Sequence, residues 1–230
     1  MENTVRGLTG NQLKLLAMLA MTVDHIGYIL LPQYGILRVI GRLAYPIFAY
    51  MIAEGCCYTR SMGKYLRSLL ITAVVCQLIT FAAGSLYMNI MVTFSISVAL
   101  TWLVRRVREK GGLGWMMALT GAVAATFAVA ELLPFVLPGT DFGIDYGFPG
   151  IMLPVLLYLC KNKAQKLGVT ALVMALLSGL VWDVQWFSLL ALPLLALYNG
   201  QRGKYKLKWL FYAYYPAHLA VLWGIAFLLW

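Results

Sequence analysis

The chain has 230 residues, of which 62% are hydrophobic and only 11% are charged, and its mean hydropathy is +0.82. Soluble domains carry roughly 25% charged residues, so this composition excludes an ordinary soluble protein and indicates one that lies in a membrane. The net charge of +10 would suit nucleic-acid binding in a soluble protein, so its placement along the chain has to be considered first.

Apolar runs separated by short polar breaks predict an all-α, polytopic membrane bundle of about nine transmembrane helices. A break at Trp182 and Asp183 separates the seventh helix from the eighth. No repeat or domain-sized linker interrupts the runs, so residues 1–230 are expected to form a single integral-membrane domain. The approximate bounds are 12–31, 36–57, 65–83, 89–104, 113–133, from just after Asp145 to about 160, 167–181, 185–198 and 209–230.

Lysine and arginine residues are distributed in a regular pattern. All except Arg38 and Arg42 lie in or beside alternate connections, beginning with the N-terminal flank that holds Arg6 and Lys14. Cytoplasmic loops carry the excess of basic residues in membrane proteins. We therefore predict a cytoplasmic N-terminus and an outside C-terminus. The pattern also accounts for the net charge without a nucleic-acid partner.

Asp24 and His25 are adjacent inside an apolar run. Burying an acid at membrane depth costs on the order of 2.5 kcal/mol or more, so such a residue indicates a functional site. Counting the helical rise puts this pair roughly 17 Å above the cytoplasmic end of its helix. The same count puts Arg42 roughly 10 Å below the outer surface and His218 roughly 14 Å from the cytoplasmic side. In an apolar layer ~30 Å thick, all four residues are expected near the middle.

Each of these residues also has a purely structural interpretation. Arg38 is close enough to the outer surface to extend its charge to it. Asp24 and Arg42 are able to form a buried ion pair that only fixes helix packing. Asp24 and His25 point about 100° apart around their helix, so we expect separate partners and favour pairing of Asp24 with Arg42. An imidazole near neutrality suits a general base, and we predict that role for His25.

Further polar residues lie on other predicted helices. Tyr214 and Tyr215 precede His218 by four and three residues, so all three are able to line one helix face. Asn89 and Asp145 each open a helix, where plain N-capping is the alternative to a functional role. Glu54, with Arg60 just beyond it, is expected to be less buried and to face either a cytosolic ligand or water. The cysteines fit no metal-ligand spacing and are expected to be reduced, and no metal site is predicted.

Several stretches taken together resemble the TraX family of pilin-acetylating conjugation proteins. They occur in the family's order and cover nearly the whole chain. Tyr58 stands where the family pattern has a histidine before Thr59-Arg60. The matching pieces are 13–27 with the core Asp24-His25-Ile26-Gly27, 41–48 (GRLAYPIF), Glu54-Gly55 with Tyr58-Thr59-Arg60, Asn89, Asp145-Tyr146-Gly147 and 211–219 (FYAYYPAHL).

This resemblance implies a multi-pass acyltransferase of the bacterial cytoplasmic (inner) membrane, which uses acetyl-CoA or another acyl-CoA as co-substrate and no metal. The acceptor is expected to be an amine or hydroxyl, such as a peptide N-terminus or a glycan. His25, Asp24, Arg42 and His218 are the predicted catalytic residues, and His25 would deprotonate the acceptor. Arg42 or Tyr215 would stabilise the oxyanion of a tetrahedral intermediate. The predicted substrate-binding residues are Tyr215, Asn89, Asp145, Tyr146, Glu54 and Arg60.

Two other functions fit the same residues. A proton-coupled transporter is one, because Asp and His relays inside membranes also move protons. Such transporters commonly have paired repeats with broken helices, and the sequence contains no such repeat. The other is an assembly partner without chemistry, whose buried polar groups only hold the bundle together.

Overall fold

The computed structural model describes residues 7–181 and 183–229, and every regular element within them is helical. A π-helical segment, Ala128–Leu132, joins α6 to α7, and a 3₁₀ segment, Asp183–Leu190, precedes α10. The all-α prediction is therefore confirmed. The helices are α1 (Gly10–Ile29), α2 (Gly35–Gly41), α3 (Ala44–Tyr58), α4 (Met62–Ala82), α5 (Ile90–Lys110), α6 (Leu113–Phe127), α7 (Leu133–Val136), α8 (Gly147–Leu159), α9 (Lys163–Val181), α10 (Ala191–Ala196) and α11 (Lys208–Leu229).

Each of the nine predicted segments contains helix in the described residues, but three of them are interrupted. The second is divided into α2 and α3, the fifth contains the π segment, and the eighth begins as 3₁₀ helix and continues as α10. Arg6, Trp182 and Trp230, which the predictions also included, lie outside the described residues.

Five helical stretches of the described residues are long and apolar enough to cross a membrane. Helix α1 is not one of them, because its hydropathy is lowered by Lys14, Asp24 and His25. Helix α8 has only 13 residues, and a helix of that length is about 20 Å long, shorter than the apolar layer. The protein is therefore of the membrane type. The five stretches are Gly35–Tyr58, Met62–Ala82, Ile90–Lys110, Leu113–Val136 and Lys208–Leu229.

Prolines explain two of the interruptions. Pro46 lies in the first turn of α3 and has no N–H to donate to the carbonyl of Arg42. Arg42 is the residue that directly follows the end of α2. Pro134 likewise offers no N–H to the carbonyl of Ala130. One residue earlier, the N–H of Leu133 donates to the carbonyl of Ala128, five residues back, as in a π turn.

The described residues form two compact units. One contains the chain up to Met51 together with the part from Cys160 onward, and in it α1 packs against α2 and α11, and the 3₁₀ segment against α2 and α9. The other is Ile52–Leu159, in which α5 packs against α4, α6 and α8. The core of this second unit includes Leu100, Ile151 and Val155.

Candidate active site

Two histidines meet inside the first unit, one from α1 and one from α11. The Nε2 atom of His218 lies 3.1 Å from the Nδ1 atom of His25. The ring centroids are 4.9 Å apart. His218 is buried and His25 is half-buried. The two residues are 193 positions apart in the chain, and the count of helical rise had predicted that they share one layer.

Backbone contacts determine which nitrogen of each ring carries the hydrogen. His25 Nδ1 lies 3.0 Å from the carbonyl oxygen of Met21, and His218 Nδ1 lies 3.1 Å from that of Tyr214. A carbonyl oxygen only accepts, so in the neutral rings both Nδ1 atoms are protonated. His218 Nε2 then accepts from the N–H of His25. His25 Nε2 retains a lone pair and has no hydrogen-bond partner among the described residues.

Two tyrosines enclose the histidine pair. Tyr214 stacks on His218 with centroids 5.4 Å apart, and Tyr215 meets the edges of both imidazoles at 5.2 and 6.1 Å. The Tyr214 hydroxyl lies 2.6 Å from Thr22 Oγ1. Because Thr22 donates its own hydrogen to the Met18 carbonyl, the tyrosine hydroxyl is the donor of this hydrogen bond. The predicted shared face of Tyr214, Tyr215 and His218 is thus present.

Asp24 points away from the histidines toward α2, where it forms two ion pairs. Its Oδ1 atom lies 2.6 Å from Arg42 and its Oδ2 atom 2.7 Å from Arg38. Another nitrogen of Arg42 donates to Gln185 on the 3₁₀ segment, at 3.3 Å. The pairing of Asp24 with Arg42 agrees with the prediction. The interpretation of Arg38 as a surface-seeking residue is wrong, because its guanidinium turns inward to the same carboxylate.

Glycines allow the close approach of α1 and α2 that these ion pairs require. A Cβ atom on Gly41 would lie 2.0 Å from Asp24 Oδ1, and one on Gly27 would lie 2.7 Å from the Cβ of Leu37. Contacts this short do not occur between real atoms, so any larger residue at Gly41 would displace the carboxylate. The polar cluster therefore depends on residues that carry no chemistry themselves.

Asn89 lies in the second unit and caps α5. Its Oδ1 atom accepts from the N–H of Met91 at 2.9 Å. Its amide group donates to the carbonyl of Ala73 at 3.2 Å and to Gln77 at 2.8 Å. These contacts use both amide hydrogens and match the capping alternative. A substrate-binding role for Asn89 stays a prediction.

Asp145 and Tyr146 precede α8 in the second unit. The Asp145 carboxylate accepts from the hydroxyl of Tyr87 at 3.3 Å, and its carbonyl accepts from Thr93 at 2.7 Å. Tyr146 has a φ of 61°, a left-handed backbone conformation that residues other than glycine rarely adopt. The backbone here is held by neighbouring contacts, and a role in substrate binding stays a prediction for both residues.

Glu54 and Arg60 lie near the end of α3. Glu54 is 8% exposed, so the expectation that it is less buried is wrong. Arg60 is exposed, as its predicted place in a connection requires. A substrate-binding role for Glu54 and Arg60 stays a prediction. No cluster of three or more His, Cys, Asp or Glu residues able to hold a metal ion occurs in the described part of the chain.

The TraX protein family matches residues 9–226. The chain belongs to the TraX family. It is 25% identical to a probable fimbrial assembly protein FimC, serogroup H1, of Dichelobacter nodosus, over 92% of this chain and 93% of that protein. A stretch of 38 residues is 55% identical to an uncharacterized protein, RP591, of Rickettsia prowazekii (strain Madrid E), and covers 16% of this chain and 15% of that protein. No solved structure matches the chain. The resemblance seen in its motifs is confirmed.

Two acidic residues of this TraX-family chain were missed by the sequence reasoning. Glu131, in the π segment, accepts the N–H of Phe148 at the start of α8, at 2.7 Å. Asp141 accepts hydrogen bonds from the hydroxyl of Ser85 and the N–H of Leu86, and these hold the pKa of the Asp141 carboxyl below its usual value. An acid in an apolar run was a signal for Glu131, but nothing in the sequence indicated its partner.

Proposed function

We propose that this protein is a membrane-embedded acyltransferase that moves an acetyl or other acyl group from acyl-CoA to an amine or hydroxyl acceptor. The observation that carries the proposal is the pair of His25 and His218, in contact at 3.1 Å. A histidine whose Nε2 lone pair is open and whose Nδ1 is hydrogen-bonded has the arrangement of a general base.

In the proposed reaction the acceptor amine attacks the acyl carbon, the new C–N bond forms, and the C–S bond to CoA breaks. His25 Nε2 takes the proton that the amine releases. His218 Nε2 accepts from the Nδ1–H of the resulting imidazolium and so stabilises its charge. The proton then passes to the CoA thiolate, which leaves as the thiol. For a hydroxyl acceptor the steps are the same with a C–O bond.

Asp24 has a positioning role in this proposal. Its carboxylate is held by Arg38 and Arg42, so it fixes the C-terminal end of α2 against α1 and thereby the wall of the site. Stabilisation of the oxyanion falls to Arg42 or to Tyr215, which meets both imidazole edges. Asn89, Asp145, Tyr146, Glu54 and Arg60 are kept as proposed substrate contacts.

The proposed setting is the bacterial inner membrane, with nine spans, a cytoplasmic N-terminus and an outside C-terminus. The basic cytoplasmic loops would hold the phosphates of CoA, although positive loops are expected on that side in any case. The relative from Dichelobacter nodosus is named as a fimbrial assembly protein. A pilin N-terminus is therefore the first acceptor to test, with a glycan second.

The test uses purified protein, isotope-labelled acetyl-CoA and a membrane extract, and mass spectrometry identifies the labelled product. The proposal predicts label on one class of acceptor, and none when the protein is left out. Binding of no acyl-CoA and transfer to no acceptor would overturn it.

A proton-coupled transporter is the second candidate, because a hydrogen bond between two imidazoles also suits proton relay. In proteoliposomes with an imposed pH gradient, this function predicts a proton flux that is lost in His218→Ala. The acyltransferase predicts no such flux.

A further inference from the structure

The 3₁₀ segment Asp183–Leu190 carries two buried polar atoms that have no hydrogen-bond partner among the described residues. They are Nε2 of Gln185 and Oγ of Ser188. Gln185 is 6% exposed and Ser188 is 0% exposed. Buried polar groups are nearly always paired in native proteins, so two such atoms on one short segment require an explanation.

The orientation of the Gln185 amide is determined by its neighbour. Arg42 donates an N–H to Gln185 Oε1 at 3.3 Å, and exchanging the oxygen and nitrogen would bring two donors together. The unpaired Nε2 therefore lies beside the ion cluster of Asp24 and Arg42. Ser188 follows three residues later, and residues at that spacing lie on the same face of a 3₁₀ helix.

Other buried hydroxyls of the same unit are satisfied locally. Ser178 and Thr170, both on α9, donate to the backbone carbonyls of Met174 and Lys166, four residues earlier. Ser188 makes no such bond. A buried hydroxyl without a hydrogen-bond partner lowers the stability of the folded protein. A ligand that supplies the missing partner would remove this cost.

We infer that Gln185 Nε2 and Ser188 Oγ bind a carbonyl oxygen of a substrate. Both atoms are hydrogen-bond donors, so the ligand must present an acceptor. They carry no charge, and the adjacent Arg42 already faces the Asp24 carboxylate, so a neutral acceptor fits better than a phosphate, which is costly to bury without a cation. Both atoms are covered, so entry of the ligand requires the 3₁₀ segment to shift, and such segments often act as hinges.

The inference rests on the proposed acyl transfer, in which a carbonyl lies at the reacting end of each substrate. One is the thioester of acyl-CoA, and the other is the first peptide group of a peptide acceptor. The two are separated by comparing acetyl-CoA with CoA, which lacks the acyl carbonyl, as ligands in calorimetry.

The variants are Ser188→Ala, which removes one donor, and Gln185→Glu, which replaces the N–H donors while keeping an oxygen for Arg42. Ser178→Ala is the control, since its hydroxyl is satisfied within α9. In each test variant we expect either the Kd of acetyl-CoA or the KM of the acceptor to rise about fivefold to tenfold. For the thioester that constant is the Kd of acetyl-CoA, with the Kd of CoA unchanged. For the peptide carbonyl it is the acceptor KM. We also expect Ser188→Ala to unfold at the same or a higher temperature than the wild type.

Active variants with unchanged constants for both substrates would overturn the inference and leave the proposed function intact. Loss of thermal stability in Ser188→Ala without a change in any constant would show that the hydroxyl is structural, and would also overturn it. A wild-type protein that binds no acetyl-CoA and transfers no acyl group would overturn both proposals.

Discussion

Replacing Asp24 by Asn tests whether this carboxylate holds α2 against α1. The change keeps the shape of the side chain and removes its charge, so Arg42 and Arg38 lose their ion pairs. The Asp24 and Arg42 side chains are 13% and 15% exposed and lie 2.6 Å apart. Removing one partner of a buried pair costs ~3–5 kcal/mol. Arg38 is 33% exposed. Because solvent screens its charge, its ion pair contributes less to stability, in the ~0–1 kcal/mol range of exposed pairs.

We therefore expect the free energy of unfolding to fall by about 3–5 kcal/mol, most of it through Arg42. The measurement is unfolding by sodium dodecyl sulfate in lipid–detergent micelles, followed by circular dichroism. The control is a double-mutant cycle with Arg42→Gln. The double variant lacks both charges, so its loss of unfolding free energy should be smaller than the summed losses of the two single variants, by up to about 3 kcal/mol. A loss below about 1 kcal/mol, typical of an exposed pair, or strictly additive losses, would refute the reasoning.

Three further changes test individual contacts within the two units. Gly41→Ala should destabilise the protein by about 1–3 kcal/mol through overpacking. The control Gly35→Ala, in the same helix, adds a methyl group that meets nothing within 4 Å and should not destabilise it. Equal effects of the two changes in thermal unfolding would contradict the close approach of α1 and α2 at Gly41. Tyr214→Phe removes the hydrogen bond to Thr22 and should cost about 0.5–1.5 kcal/mol in the same micelle assay, and no loss would show that the bond is absent. The lowered pKa of Asp141 means that its contribution is complete above its usual 3.8 and is lost as the pH falls below that value. The stability advantage of the wild type over Asp141→Asn should therefore shrink on acidification, and a constant difference would contradict this.

The common level of His25 and His218 was predictable, although their contact was not, because helices are rigid and rise by a constant 1.5 Å per residue. Apolar run lengths and loop charges place each helix end, and the rise then gives the level of every side chain. The pairing of Asp24 with Arg42 followed from the same arithmetic together with the 100° between neighbours. Level and rotation along a single helix are thus within reach of sequence reasoning.

The partners of Arg38 and Gln185 were not predictable in this way. The sequence indicates how deep Arg38 lies but not how α2 rotates against α1, which depends on the close contact at Gly41. Gln185 was expected on an α-helix, whereas the segment is 3₁₀, with three residues per turn, so the side chains point in other directions. For Asn89 the helix start was correct, but its contact with Gln77 depends on the packing of α4 against α5.

The central claim is that His25 is the base of an acyl transfer, and the most direct measurement is label transfer from acetyl-CoA by His25→Ala beside wild type at equal folded concentration. Circular dichroism and thermal unfolding in the same detergent establish that concentration. If His25 is that base, the variant folds and its transfer rate is lower by about 10²–10⁴-fold, the usual contribution of a general base. A folded variant that transfers label at the wild-type rate would contradict it, and a variant that no longer folds would assign His25 a structural role instead.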